Sequence, residues 1–68
     1  MRYAVIFEKS ERQFGAYCPD LPGCIAVGQS LAEAKGFIAS AMKKHLEALE
    51  SDGQKPPEPA SVVAYIEA

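Results

Sequence analysis

The chain has 68 residues, enough for one domain and too few for two, so we expect a single domain over residues 1–68. Its apolar fraction of 49% and charged fraction of 24% are typical of a globular protein and exclude a disordered chain. A net charge of −2 argues against the broad basic surface of a nucleic-acid-binding protein. No apolar run approaches the roughly 20 residues of a membrane span, and no signal peptide is visible, so a cytoplasmic protein is expected.

Two strands are predicted near the start of the chain. Residues 2–8 alternate with apolar side chains on both faces, which is typical of a central strand covered on both sides. After a polar hairpin loop at 9–12, residues 13–18 alternate again and predict the second strand. Gly15 within this strand indicates a bulge or a close backbone approach.

A stiff turn follows in residues 18–24, which read Cys-Pro-Asp-Leu-Pro-Gly-Cys. Because Pro19 and Pro22 have no amide hydrogen, strand pairing has to stop there. A short third strand is predicted at 24–28. Without a secretion signal, Cys18 and Cys24 are expected as free thiols, with a facultative disulfide as the alternative.

A single long helix is predicted after the third strand. Ser30 is a typical N-cap residue, and Glu33 completes a capping box with it. Gly36 lies inside the helix and could allow close packing on the sheet, whereas Gly53 is expected to end the helix in a left-handed conformation. One helix face collects residues at spacings of three and four: Leu31, Ala34, Ile38, Ala41, Met42, His45 and Leu49.

The chain then returns to the sheet. Residues 55–59 contain three prolines and form an extended connector, and residues 62–67 are predicted as the last strand. The right-handed crossover rule places that strand beside the first strand and parallel to it. The predicted fold class is therefore α+β, with β-β-β-α-β connectivity and a four-stranded mixed sheet in the order 3-2-1-4. The long helix lies on one face of this sheet.

One helix covers only one face of such a sheet, so a contiguous apolar patch should remain exposed. The helix is also longer than the strands, and its part bearing His45, Leu46 and Leu49 should overhang. Both features predict a homo-oligomer (a dimer or tetramer), a bound partner, or both.

Catalytic machinery is not expected. His45 is the only histidine and lies on the apolar side of the helix, and no nucleophile can be paired with it. Two cysteines and one histidine fall short of a zinc site, and no phosphate loop or dinucleotide fingerprint is present. The scattered carboxylates, among them Glu8, Asp20 and Glu67, leave a residual nuclease as a remote alternative. We therefore expect no catalytic residue, no cofactor and no metal.

Several segments resemble the HicB-like antitoxins across nearly the whole chain. They are the first strand 3–8, the turn 19–24, residues 28–34 (Gly-Gln-Ser-Leu-Ala-Glu-Ala), residues 46–49 and Gly53. The resemblance implies a truncated ribonuclease H-like fold, without that enzyme's metal-binding carboxylates. It also implies the antitoxin half of a type II toxin–antitoxin pair, which binds and neutralises a HicA-type RNA-cleaving toxin and often forms dimers or tetramers.

Many members of that family carry a further DNA-binding segment, whereas this chain ends at Ala68, directly after the last predicted strand. No direct DNA binding is therefore expected from this chain alone. For toxin contact we expect Tyr17, Asp20, Leu21 and Pro22 near the stiff turn, because a stiff turn loses little entropy on docking and Asp20 suits a basic partner. The alternatives are that these residues only shape the turn, and that the chain is a solitary homo-oligomeric binding or regulatory module without a cognate toxin.

Overall fold

A computed structural model describes residues 1–68 as three strands and one helix. The strands are β1 (Ile6–Lys9), β2 (Phe14–Tyr17) and β3 (Ile25–Gly28), and the helix α1 spans Leu31–Ser51. The strands form one antiparallel sheet in the order β1-β2-β3. The α+β class is as predicted, but the sheet has three strands, with β2 and not β1 at its centre.

The four-stranded sheet in the order 3-2-1-4 was therefore wrong. Residues 62–67 form no strand, and residues 55–68 take part in no backbone–backbone hydrogen bond. The physical reason begins in the connector 55–59, where the prolines lack amide hydrogens. The two amides that follow it donate to a side chain and not to a neighbouring strand. The carboxylate of Asp20 binds the amides of Ala60 and Ser61, and the Tyr3 hydroxyl donates to the Pro57 carbonyl at 2.6 Å.

The first strand is also shorter than residues 2–8. It begins at Ile6, which pairs with Tyr17, the last residue of β2. Beyond Tyr17 the chain enters the turn, where Pro19 cannot donate to a ladder. Residues 2–5 consequently run past the end of β2, although Tyr3 and Val5 still pack on the core.

The helix begins and ends as predicted. The Ser30 Oγ accepts the Glu33 amide at 3.1 Å, and the Glu33 carboxylate reaches back to the Gln29 amide at 2.9 Å. At the other end Gly53 has φ 73°, its amide donates to Glu50, and the Gln54 amide donates to Leu49. This pair of bonds is a Schellman motif, which satisfies the last carbonyls of the helix.

The core lies between α1 and one face of the sheet. Its central cluster of buried side chains is formed by Ala16, Cys18, Leu21, Cys24 and Ile38. The close approach between layers occurs at Gly28, where an added Cβ would lie 2.5 Å from the Ala34 nitrogen. At Gly36, in contrast, an added Cβ would meet nothing within 4 Å and the residue faces outward, so the predicted packing role of Gly36 was wrong. Gly15 lies in regular register without a bulge.

Candidate partner-binding surface

The stiff turn is held by three backbone hydrogen bonds. The Cys18 amide donates to Cys24 at 3.2 Å, the Leu21 amide to Cys18 at 3.1 Å, and the Cys24 amide to Leu21 at 3.1 Å. Gly23 has φ 82°, a conformation that favours glycine. The Leu21 side chain is fully buried and anchors the turn in the core.

Asp20 has a structural task in this turn. Its Oδ2 accepts the amides of Ala60 and Ser61, each at 3.0 Å, and its Oδ1 accepts the Ser61 hydroxyl at 2.9 Å. These bonds, led by the one from the Ser61 amide, lower the pKa of Asp20 against a smaller opposing effect of desolvation. The carboxylate therefore fastens the return segment to the turn, and we call these three bonds the Asp20 latch.

The four residues predicted for toxin contact have different surroundings. Tyr17 is 38% exposed and Pro22 is exposed. Leu21 is inside the core, and the Asp20 carboxylate is engaged in the latch. A partner that docks at the turn would meet Tyr17 and Pro22, while Asp20 and Leu21 hold the turn in shape beneath it.

The sheet face opposite the helix carries an apolar patch. Strand register places Ile6, Tyr17 and Ile25 in one row across the sheet, and Glu8, Gly15 and Val27 in the next, with the charged Glu8 at the β1 edge. Ile25 is 70% exposed and Val27 is 52% exposed. We call the residues Ile6, Tyr17, Ile25 and Val27 the open face. It confirms the expectation of an uncovered apolar sheet face, although in a three-stranded sheet.

Sequence reasoning named Tyr17 but missed Ile25 and Val27 as surface residues. The signal was present, because the strand reads Ile-Ala-Val-Gly and alternates large with small side chains. The small residues Ala26 and Gly28 face the helix, which approaches closely there, and the large ones therefore point outward.

A second exposed apolar feature follows the latch. In residues 62–68, Val62 is 90% exposed, Tyr65 95% and Ile66 86%. An open groove at the start of this segment is lined by Arg2–Ala4 and Ser61–Val63, so the segment begins beside the residues that lead into β1. Uncovered apolar side chains and unpaired backbone groups together are typical of a contact segment.

The predicted overhang of the helix is less pronounced than expected. Leu46 packs against the core, and His45 and Leu49 are half-buried. The exposed large apolar side chains of the helix are Leu31 and Phe37, of which Phe37 lies outside the predicted apolar face.

The side chains that could bind a metal ion or act as nucleophiles are dispersed or buried. No three side chains of His, Cys, Asp or Glu come close enough together to hold a metal ion. Cys18 and Cys24 are free and buried, and burial, together with the neighbouring Cys18, raises the pKa of Cys24. A buried thiol with a raised pKa is a poor nucleophile. The helix does not combine the length and apolar character that a bilayer crossing requires.

The fold and its surface thus describe a small α+β protein whose prominent exposed features are apolar surfaces. The chain belongs to the HicB-like antitoxins of bacterial toxin–antitoxin systems, since the family's sequence profile matches residues 3–68. This confirms the resemblance seen in the sequence.

A relative in Haemophilus phage HP1 (strain HP1c1) is described as an uncharacterized 14.9 kDa protein in the rep-hol intergenic region. It is 30% identical over 66 residues, which cover 97% of this chain and 50% of the phage protein. The chain therefore spans about half the length of this curated relative. No solved structure matches the chain with significance.

Proposed function

We propose that this chain acts in the cytoplasm as the antitoxin of a type II pair and neutralises a HicA-type RNA-cleaving toxin by direct binding. Family membership supports the antitoxin role, and binding alone suffices for it, so no catalytic group, metal or cofactor is needed. The observation that carries the binding mode is the open face, where Ile25 and Val27 leave most of their side chains in water.

The contact extends from the open face toward the stiff turn. Tyr17 belongs to the open face and is also the last residue of β2, directly before the turn. Aromatic residues of this kind are frequent anchors in protein interfaces. The toxin would cover Tyr17 and Pro22, with Asp20 and Leu21 keeping the turn rigid, so that little conformational entropy is lost on docking.

The test is toxin neutralisation in cells. A HicA-type toxin is induced together with this chain, and growth is recorded for the native chain, Val27→Lys and Phe37→Lys. Val27 and Phe37 are 52% and 51% exposed, but Val27 lies on the open face and Phe37 on the helix. We expect growth to be rescued by the native chain and by Phe37→Lys and to fail with Val27→Lys. Rescue by Val27→Lys would show that the toxin binds a surface other than the open face. Failure of the native chain to rescue growth would contradict the proposed function.

A second candidate is a solitary homo-oligomeric module that binds no toxin. It is favoured by residues 62–68, whose apolar side chains and backbone groups lack partners within the chain. Self-association would cover them, and it is compatible with an antitoxin role as well.

A further inference from the structure

Two cysteines stand opposite each other at the neck of the stiff turn. Cys18 directly follows Tyr17, the last residue of β2, and Cys24 directly precedes Ile25, the first residue of β3. Tyr17 pairs with Ile25, so the same register carried one step further sets Cys18 opposite Cys24. The Cys18 amide donates to the Cys24 carbonyl at 3.2 Å, as it does between facing residues of an antiparallel pair.

Both cysteine side chains lie on the core side of the sheet. Side chains alternate along a strand, and Ala16 lies in the core while Tyr17 lies on the open face. The next side chain, that of Cys18, returns to the core, and so does that of Cys24, which precedes the exposed Ile25. Both cysteines belong to one buried cluster, and the contribution of Cys18 to the raised pKa of Cys24 agrees with neighbouring sulfur atoms.

The spacing of such a pair suits a disulfide. Facing residues of a hydrogen-bonded antiparallel pair have Cα atoms about 5.5 Å apart. Disulfides in proteins bridge Cα atoms that lie roughly 4.4 to 6.8 Å apart. A bond between Cys18 and Cys24 therefore asks for side-chain rotation and little movement of the backbone. Neither thiol has a role in a metal site, and neither takes part in the proposed binding of a toxin.

We propose that Cys18 and Cys24 are a reversible redox pair, which a small disulfide such as oxidised glutathione converts into a disulfide across the neck of the stiff turn. In the first step the thiolate of one cysteine attacks oxidised glutathione, which leaves a mixed disulfide and one glutathione thiolate. The second cysteine then attacks the protein sulfur of the mixed disulfide and releases the second glutathione. The two thiol protons pass to the two glutathione thiolates, and the chain gives two electrons to glutathione.

Burial makes this oxidation slow and dependent on opening of the turn. Cys18 and Cys24 are only 3% and 4% exposed, so an external disulfide reaches them when the turn opens. The second step is intramolecular, because the register holds the other cysteine opposite the first. In a reducing compartment the pair remains as the free thiols seen in the structure, and it responds to sustained oxidation.

The disulfide would fix the residues that shape the turn. The ring that it closes contains Asp20, which forms the latch, and Leu21, which fills the core. Closing the ring restricts the unfolded chain more than the folded one, so the oxidised chain should be the more stable form. This inference concerns the turn alone and does not depend on toxin binding.

The experiment equilibrates the whole chain with oxidised glutathione at a fixed concentration of reduced glutathione, once folded and once unfolded in urea. After an acid quench and alkylation, trypsin cuts behind Arg12 and Lys35 and leaves both cysteines in one peptide. We expect this peptide to lose the mass of two hydrogens. The folded chain should need a concentration of oxidised glutathione roughly tenfold lower than the unfolded chain, or lower still. The oxidised chain should also unfold at a higher urea concentration.

The matched controls are Cys18→Ala and Cys24→Ala, which keep one thiol each and should yield only the mixed disulfide with glutathione. Three results would overturn the redox pair. They are a native chain that carries only glutathione adducts or links to a second copy, a disulfide that forms equally readily in the folded and the unfolded chain, and an oxidised chain with a lower urea midpoint. Failure of the chain to neutralise a toxin would leave this inference intact, because every readout is made on the chain alone.

Discussion

Asp20 holds Ser61 by both oxygens of its carboxylate, one on the backbone amide at 3.0 Å and one on the hydroxyl at 2.9 Å. The two residues lie 41 positions apart, so these bonds close the chain around the helix. Together with the bond to Ala60, they engage the two residues directly before the segment for which the sequence pattern predicts a strand. The latch therefore decides where residues 62–68 leave the body of the molecule.

Removing the carboxylate should release the return segment. In Asp20→Ala the amides of Ala60 and Ser61 lose their acceptor, and we expect a lower urea midpoint together with faster hydrogen exchange at both amides. Glu11→Ala, in the exposed hairpin loop, serves as the matched loss of one negative charge. Equal midpoints for the two variants would show that the latch does not stabilise the fold.

The latch should also weaken in acid. Hydrogen bonds from Ser61 and Ala60 lower the pKa of Asp20 from its ordinary value of 3.8. Because the folded-state pKa lies below the unfolded one, the stabilisation is present above about pH 3.8 and is lost as pH falls through the folded-state pKa. Urea unfolding at neutral pH and at about pH 2.5 should show a larger loss of stability for the native chain than for Asp20→Asn. Equal losses would mean that Asp20 titrates normally.

Two glycine-to-alanine substitutions should have opposite effects on stability. A Cβ on Gly28 would lie 2.5 Å from the Ala34 nitrogen and 2.9 Å from its Cα, and backbone atoms cannot move aside easily. We expect Gly28→Ala to destabilise the fold by about 1–3 kcal/mol. Gly36→Ala meets open space within the helix and should stabilise by about 1 kcal/mol. Equal effects in chemical denaturation would contradict the helix position over β3.

The two thiols should resist alkylation in the folded chain. Cys18 and Cys24 are 3% and 4% exposed, and burial raises the pKa of Cys24. Iodoacetamide labelling followed by mass spectrometry should therefore be slow at neutral pH and fast in urea. Rapid labelling without urea would show that the turn between β2 and β3 opens readily.

The helix and the turn were predictable because local residues determine them. Ser30 with Glu33 at one end and Gly53 at the other satisfy the terminal backbone groups of the helix. Pro19, Pro22 and Gly23 force the reversal whatever surrounds them. In each case the hydrogen-bond partners lie within a few residues of one another.

The absence of a fourth strand and the details of the surface were not predictable in the same way, because they depend on contacts between residues that are distant in the sequence. The capture of Ser61 by Asp20 joins residues that no periodicity relates, and residues 62–66 form no strand despite their high strand propensity. The assignment of partner contact to Asp20 and Leu21 was similarly made without knowing that one closes the latch and the other fills the core. Which face of β3 points outward depended on the approach of α1 to Gly28.

The central claim is that this chain binds a HicA-type toxin through the open face. Light scattering on the purified chain mixed with such a toxin, with Val27→Lys and Phe37→Lys in parallel, tests it most directly. A mixed complex with the native chain and with Phe37→Lys, but not with Val27→Lys, is the predicted result. A native chain that keeps its own mass in the presence of toxin would contradict the claim.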